Sequence, residues 1–223
     1  MSGDVVIIGT GGHGREVLDV FEALRAAGES WNVLGFLDDA PERRGTTVRG
    51  LPVLGGVSWL TERQASARPQ AFIGIGSTVV RWRIAERLAG WGVQFPTLVH
   101  PRASVTPHVE LAEGVLIAAG AVLTSSLRMG AHSFLNVGAS VSHDCAVGRC
   151  CAIQMGARLS GAVTIGNGVE IGVGAVVRQN ITIGEWTSVG AGAAVVSAIP
   201  SNVIAVGVPA RVSETREPGW HLV

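Results

Sequence analysis

Hydrophobic positions recur every six residues through the second half of the chain. From Val105 to Val195 every sixth residue is aliphatic or Met, without a slip. Small residues such as Ala121, Ala139 and Ala157 stand four positions after many of them. A period of six fits neither an α-helix nor a lone strand, but it is typical of a β-solenoid. The pattern predicts one short strand and one corner per hexad, and three hexads per triangular coil. The inward positions are Val105, Leu111, Ile117, Leu123, Met129, Leu135, Val141, Val147, Ile153, Leu159, Ile165, Ile171, Val177, Ile183, Val189 and Val195.

Glycine often follows the inward residue, as at Gly130, Gly148 and Gly166, and we expect the chain to turn there. No hexad carries an insertion, so no long loop is expected to leave the coils. The repeat continues to about Ile199, residues 200–202 break the pattern, and the segment 206–211 is predicted to end it.

The first hundred residues alternate between strand-like and helix-like patterns, which predicts a small parallel α/β unit. The predicted division is a Rossmann-like unit at 1–98, a β-helix at 99–212 and a tail at 213–223. The predicted strands are 5–9, 33–37 and 71–76, with a short apolar segment at 51–54, and the predicted helices are 15–27, 58–67 and 79–88.

Charge and hydropathy exclude several classes of protein. The 223 residues carry no formal net charge, and without a basic patch we expect no nucleic-acid partner. No apolar run is long enough to span a bilayer, so we expect a cytoplasmic protein without a membrane partner. Three cysteines without a C-x-x-C pair favour a role as core filler.

A glycine-rich loop follows the first predicted strand. Gly9, Gly11 and Gly14 fit G-x-G-x-x-G, which lets backbone N–H groups and a helix N-terminus face a diphosphate. Asp38 ends the next strand, where a carboxylate can bind a ribose hydroxyl. The alternative is a tight strand–helix turn that uses glycine for packing alone. His13 lies inside the loop and is unusual for NAD binding.

His143 and Asp144 form the second candidate site. His143 stands two residues after an inward position, where a corner begins, so its ring can project outward. An imidazole is the natural general base near neutral pH, and an adjacent carboxylate raises its basicity. The alternative is a solvated surface histidine. His108, His132 and His143 are too unevenly spaced for a metal site, and we expect no metal.

Several motifs occur together in a particular order along the chain. They are Gly9–Gly14, Phe36–Asp39, Ile73–Gly76, His100-Pro101, Asn136, His143-Asp144-Cys145 and Gly207–Arg211. This order of motifs resembles that of the nucleotide-sugar acetyltransferases of the left-handed parallel β-helix superfamily. The closest likeness is to enzymes that N-acetylate UDP-4-amino-sugars of the bacillosamine type or GDP-perosamine, and a related branch contains sialic acid O-acetyltransferases.

The resemblance implies a homotrimer that binds acetyl-CoA between neighbouring β-helices and a nucleotide-linked amino-sugar in the N-terminal unit. It assigns His143, Asp144 and Asn136 to catalysis, with direct transfer and His143 as the base. It assigns Gly12, His13, Gly14, Asp38, Asp39 and Gly76 to the nucleotide sugar, and Gly161, Val173, Gly174, Ala191 and Arg211 to acetyl-CoA.

One position departs from the family. Nine residues after the catalytic histidine the family carries a second histidine that contacts the acetyl end of the donor, and here that place holds Ala152. Either Gln154 or a backbone group takes its role, or the donor differs. Two alternatives to N-acetylation stay open. O-acetylation of a sugar hydroxyl, as on sialic acid, needs the same base and donor, and in a non-catalytic nucleotide-binding β-helix Ala152 would signal lost catalysis.

Overall fold

A computed structural model describes residues 2–63 and 69–222. It contains an N-terminal α/β sheet followed by a three-sided parallel β-helix, which confirms the predicted fold class. The N-terminal unit comprises β1 (Ser2–Ile8), α1 (Gly12–Ala26), β2 (Ser30–Leu37), a 3₁₀ turn (Pro41–Arg43), β3 (Thr47–Val48), β4 (Leu51–Gly55), α2 (Ser58–Thr61), β5 (Gln70–Ile73) and α3 (Thr78–Leu88).

The five strands of this unit lie in the order β3-β4-β2-β1-β5, and only the β3–β4 pair is antiparallel. The apolar face predicted for α1 is buried, including Val17, Phe21 and Leu24. The predicted third strand ends earlier than expected, at Ile73. Gly74 still donates its backbone N–H to the carbonyl oxygen of Ile8 in β1, and a Cβ there would lie 2.8 Å from Cα of Gly14 at the start of α1. The predicted helix 58–67 is described only to Thr61, and 64–67 lie outside the described residues.

The β-helix consists of short strands, and each of the sixteen inward positions occupies one of them. The strands are β6 (Leu98–Val99), β7 (Ser104–Val105), β8 (Val109–Leu111), β9 (Leu116–Ile117), β10 (Val122–Leu123), β11 (Leu127–Met129), β12 (Phe134–Leu135), β13 (Ser140–Val141), β14 (Ala146–Val147), β15 (Ala152–Ile153), β16 (Arg158–Leu159), β17 (Thr164–Ile165), β18 (Glu170–Ile171), β19 (Val176–Val177), β20 (Thr182–Ile183), β21 (Ser188–Val189) and β22 (Ala194–Val195).

The strands form three faces, and paired strands lie 18 residues apart. Face I contains β6, β9, β12, β15, β18 and β21; face II contains β7, β10, β13, β16, β19 and β22; face III contains β8, β11, β14, β17 and β20. The inward aliphatic residues and the small residues four positions later fill the interior. Cys145, Cys150 and Cys151 are free thiols and are buried, as expected for core filler.

The glycines that follow inward residues begin the corner turns, as expected, since the carbonyl oxygen of Gly130 accepts from the backbone N of Ser133 at 3.3 Å. They do not themselves adopt the left-handed conformation. The left-handed backbone conformation occurs two residues later, at every sixth residue, as at Gly138 and Asp144. A Cβ at Gly130 would lie 2.6 Å from the carbonyl carbon of Gly148 in the next coil. Glycine is needed at this position because consecutive coils approach closely there, not because of a positive φ.

The fold also continues beyond the predicted end of the repeat. β23 (Val203–Val206) adds to face I beside β21, and β24 (Arg211–Thr215) pairs antiparallel with it. A 3₁₀ turn (Trp220–Leu222) then returns to the N-terminal unit, where Arg83 of α3 donates to the carbonyl oxygen of His221, and the His221 ring stacks on Trp186 of the β-helix. The predicted boundary between residues 98 and 99 falls inside β6. The division into domains stays a prediction.

The N-terminal unit packs on the outer surface of face I. One apolar core joins the α1 side of its sheet to outward residues of that face, including Leu116, Phe134 and Ala152. No helix among the described residues is both long enough and apolar enough to cross a membrane.

Candidate active site

Gly9 and Gly14 of the N-terminal loop are required by the local structure, whereas Gly11 and Gly12 face open space. Gly9 adopts φ 106°, which favours glycine. A Cβ at Gly14 would overlap the carbonyl oxygen of Gly9, so α1 can start against β1 only with glycine there. At Gly11 and Gly12 a Cβ would meet nothing within 4 Å. The first turn of α1 carries no acidic residue and no side-chain cap, so its N–H groups are available to an anion.

The two carboxylates after β2 hold this end of the sheet together. Asp38 accepts hydrogen bonds from the backbone N (3.0 Å) and hydroxyl (2.5 Å) of Thr10 and from the backbone N of Ala40 (3.1 Å). Burial alone would raise the pKa of Asp38, but these hydrogen bonds outweigh it and keep that pKa below its usual value. Asp39 accepts from the backbone N of Val57 and pairs with Arg87 at 2.7 Å.

His13 lies at a cavity between α1 and the β-helix. Its ring centroid is 4.5 Å from that of Phe134, and its Nδ1 is 3.2 Å from Glu16 Oε2. This hydrogen bond is the main cause that lowers the pKa of Glu16. The cavity has a volume of about 210 Å³, and Asn136 lines it together with His13. The structure therefore brings Asn136 to the glycine-loop side of the molecule. Gly76 is close as well, because a Cβ there would lie 4.0 Å from the Cβ of His13.

His143 and Asp144 form an exposed pair at the corner between faces II and III. Nδ1 of His143 lies 2.8 Å from Oδ2 of Asp144, and both side chains are 62% exposed. Asp144 occupies the left-handed corner position with φ 59°. A Cβ at Gly161 would lie 2.6 Å from Nε2 of His143. Gly161, which the family resemblance assigns to acetyl-CoA, therefore supports the histidine ring directly.

Within a single chain, His143 and the glycine loop lie on opposite sides of the β-helix. The N-terminal unit covers face I, whereas His143 lies at the corner opposite that face. Asn136 lies at a different corner, between faces I and II. The predicted catalytic residues are therefore divided between two edges of the triangular coil.

The other residues that the resemblance assigns to acetyl-CoA are Val173, Gly174, Ala191 and Arg211. The first three lie along the corner between faces I and II, and Arg211 lies at the far end of that corner. Val173 and Ala191 line an open groove of about 450 Å³. Gly174 follows Val173 at the left-handed corner position, with φ 67°. Arg211 begins β24 and is exposed.

Ala152 is not at an open site. It is completely buried and pairs with Phe134 in face I, beneath the N-terminal unit. The described residues contain no group of three or more His, Cys, Asp or Glu side chains that could hold a metal ion. His132 is also buried, and desolvation, with Arg149 and Arg81 nearby, lowers its pKa to about 4.

Sequence reasoning missed Arg81, which is completely buried beside this site. It occupies the apolar stripe of α3 with Ile84, Ala85 and Leu88. The sequence carried a signal that could have identified this residue, because an arginine in the buried stripe of a predicted helix is unusual.

Comparisons with known proteins identify the family. Residues 4–88 match the family described as PglD N-terminal domain, whereas comparison with curated proteins by sequence yields no match. Among solved structures, the acetyltransferase domain of PglB from Neisseria gonorrhoeae is 33% identical with a TM-score of 0.85, covering 94% of this chain and 98% of that one.

Two further structures are similar over the same extent. Perosamine N-acetyltransferase from Caulobacter crescentus, in complex with CoA and GDP-perosamine, is 37% identical with a TM-score of 0.83, covering 95% of this chain and 97% of that one. WeeI from Acinetobacter baumannii is 30% identical with a TM-score of 0.83, covering 93% and 98%. The chain therefore belongs to the nucleotide-sugar N-acetyltransferase family of β-helix proteins.

Proposed function

We propose that this protein transfers an acetyl group from acetyl-CoA to the amine of a nucleotide-linked amino-sugar. The observation that carries the proposal is the exposed His143–Asp144 pair, at 2.8 Å, on a chain of this family. Relatives similar over nearly the whole chain support the two substrate classes. One is described in complex with acetyl-CoA, and another with CoA and GDP-perosamine.

His143 acts as the general base in this proposal. Its Nδ1 faces Asp144, so Nε2 is left to accept the proton from the amine as that amine attacks the thioester carbonyl. The C–S bond breaks when the tetrahedral intermediate collapses, and the protonated His143 gives its proton to the leaving sulfur, so that CoA leaves as the thiol. Asp144 fixes the tautomer of His143 and stabilises the imidazolium, in the manner of a catalytic triad carboxylate.

The nucleotide end of the acceptor binds at the glycine loop. The open N–H groups at Gly11 and Gly12 suit a diphosphate, and no acidic residue of the first turn of α1 opposes it. Asp38 and Asp39 retain unused lone pairs for the nucleoside. His13 and Asn136 then lie beside the sugar in the cavity between α1 and the β-helix.

A second copy of the chain completes the site. The glycine loop and His143 lie on opposite sides of one coil, so the base that serves one acceptor site must come from a neighbouring subunit. A homotrimer satisfies this requirement because each of its identical head-to-tail interfaces joins one corner to one N-terminal unit. The acyl donor then lies between adjacent β-helices, along the corner with Val173, Gly174 and Ala191, and Arg211 is placed to contact it from β24.

Replacement of His143 tests the function. We expect His143→Ala to lower turnover by about 10²–10⁴, the range of a lost general base, while calorimetry still detects binding of acetyl-CoA and acceptor. His108→Ala, an exposed histidine on another coil, is the control. Near-normal turnover by His143→Ala would exclude it as the base.

A substrate panel tests the acceptor class. The wild-type protein is offered UDP-, GDP- and dTDP-linked amino-sugars and free sialic acid, each with acetyl-CoA. Acetylation of an amine supports the proposal, whereas acetylation only of sialic acid would assign an O-acetyltransferase. Failure to bind any acyl-CoA would instead indicate a non-catalytic nucleotide-binding protein.

A further inference from the structure

One column of residues runs along the corner between faces I and II. Its members each follow the inward residue of a face I strand and are 18 residues apart. Two neighbouring members are amides, the first member is a histidine, and the others are small. The column consists of His100, Ala118, Asn136, Gln154, Gly172 and Gly190.

Each half of this column lines a different cavity. Ala118 and Asn136 line the cavity of about 210 Å³ that also contains His13. Gln154, Gly172 and Gly190 line the groove of about 450 Å³. The two amides therefore lie where the cavity beside the glycine loop meets the groove that runs along the corner.

Hydrogen bonds fix the direction in which these amides point. Nε2 of Gln154 donates to Oε1 of Glu170 at 2.9 Å, and Oε1 of Gln154 lies 3.5 Å from Nδ2 of Asn136. An ionised carboxylate can only accept, so Gln154 must turn its NH₂ group towards Glu170 and its oxygen towards Asn136. Oδ1 of Asn136 accepts from the backbone N of Val137 at 2.7 Å. This bond orients the Asn136 amide so that its NH₂ group faces Oε1 of Gln154.

This arrangement leaves one N–H of Gln154 without a hydrogen-bond partner among residues 2–63 and 69–222. An NH₂ group has two donors, and the bond to Glu170 uses one of them. Glu170 is partly buried and, like Gln154, borders the groove. The second N–H of Gln154 therefore lies at the end of the groove that is next to Asn136 and the neighbouring cavity.

We infer that Gln154 donates this N–H to the carbonyl oxygen of the acyl donor, and that Glu170 is the positioning residue that orients it. The inference rests on the proposed function, in which the donor occupies the groove and the acceptor the cavity. A thioester that enters along the groove meets the acceptor at the two amides. A donor aimed at its carbonyl oxygen stabilises the negative charge that develops there when the amine attacks.

Four variants test the inference through steady-state kinetics with each substrate varied separately. We expect Gln154→Ala to lower kcat/KM for acetyl-CoA by about tenfold or more, as for a lost oxyanion donor, while KM for the amino-sugar changes by less than about twofold. Glu170→Ala should produce a similar loss, and the double variant should lose no more than either single one. Glu170→Gln keeps an acceptor for Gln154 and should retain most of the activity. Thr182→Ala, on the exposed side of face III, is the control.

Several results would overturn the inference. Additive losses, an equal rise in KM for both substrates, or failure of Glu170→Gln to retain activity would indicate a purely structural role. An active Gln154→Ala variant would refute the inference alone. The proposed function fails separately, if the wild-type protein neither binds CoA nor acetylates any amino-sugar.

Discussion

Nε of Arg81, in α3, donates to the carbonyl oxygen of His132 at 2.7 Å, across 51 residues of sequence. The same guanidinium donates to the carbonyl oxygens of Ile75, Gly76, Cys150 and Cys151. Burial lowers the pKa of Arg81 to about 10, so it stays charged at neutral pH. One cation thus joins the loop after β5 to two successive coils of the β-helix, with backbone dipoles as its partners.

Removal of this cation should loosen the contact between the two units. We expect Arg81→Met to lower the free energy of unfolding by about 3 kcal/mol or more, because several buried carbonyl groups lose their donor. Denaturant unfolding measures the change. Glu86→Ala, on the same helix, removes only a half-exposed pair with Arg149 and should cost less than about 1 kcal/mol. Equal losses in both variants would contradict the assigned role of Arg81.

The buried His132 should make the protein sensitive to mild acid. Its pKa is about 4 in the folded chain and about 6.5 when solvated, so protonation favours the unfolded state. Its contribution to stability is therefore complete above about pH 6.5 and is lost as pH falls towards 4. Between pH 7 and pH 5 we expect the wild-type protein to lose about 2 kcal/mol more than His132→Asn. Asparagine tolerates the left-handed conformation at this corner.

The wild-type protein and His132→Asn both retain Asp38 and Glu16, whose lowered pKa values also weaken stability in acid. The difference between the two proteins therefore isolates the effect of His132. Parallel unfolding free energies for the two proteins over this pH range would show that His132 does not titrate as described.

Gly161 should control the orientation of His143. A Cβ at this position would collide with the imidazole, which must then swing towards solvent. We expect Gly161→Ala to lower turnover by about 10–100-fold through misplacement of the base, with a stability change below about 1 kcal/mol. Gln179→Ala, one coil further along the same corner, is exposed and should behave as wild type. An unaltered rate for Gly161→Ala would remove this constraint on His143.

A mixing experiment should reveal whether two subunits share one site. Gly12→Asp places a carboxylate in open space at the start of α1, which suits the helix dipole but repels a diphosphate. We expect this variant and His143→Ala to be inactive when pure. Co-refolded at equal amounts, they should recover roughly a quarter of wild-type activity, because random assembly joins intact halves at that frequency. No recovery from mixed oligomers would place both halves of the site in one chain.

Much of the fold was predictable because a β-helix is built from local repeats. Each inward residue from Val105 to Val195 needs only its own hexad and the coils next to it, so a single register in the sequence determines strands, faces and core. The glycine loop was predictable for a similar reason, since a strand, a tight turn and a helix are contiguous in the chain.

The arrangement between elements was not predictable in the same way. The contact of Arg81 with His132 joins distant segments, and no periodicity specifies how the α/β unit packs on face I. The reason for glycine at the corners was also not visible in the sequence. Gly130 is required by contact with the next coil rather than by its own backbone angles. The spacing of Asn136 and His143 places them at different corners, but only the packed structure shows which corner faces the glycine loop.

The reversal at β24 has a consequence for how the protein behaves at high concentration. A parallel stack of identical coils presents an edge onto which another copy could add, as in a growing fibre. Because β24 runs antiparallel to β23, the last strand of face I does not offer the parallel edge that another coil would continue. Its exposed residues include the charged Arg211 and Glu214, which oppose edge-to-edge pairing. The direction of this one strand therefore protects face I from polymerisation.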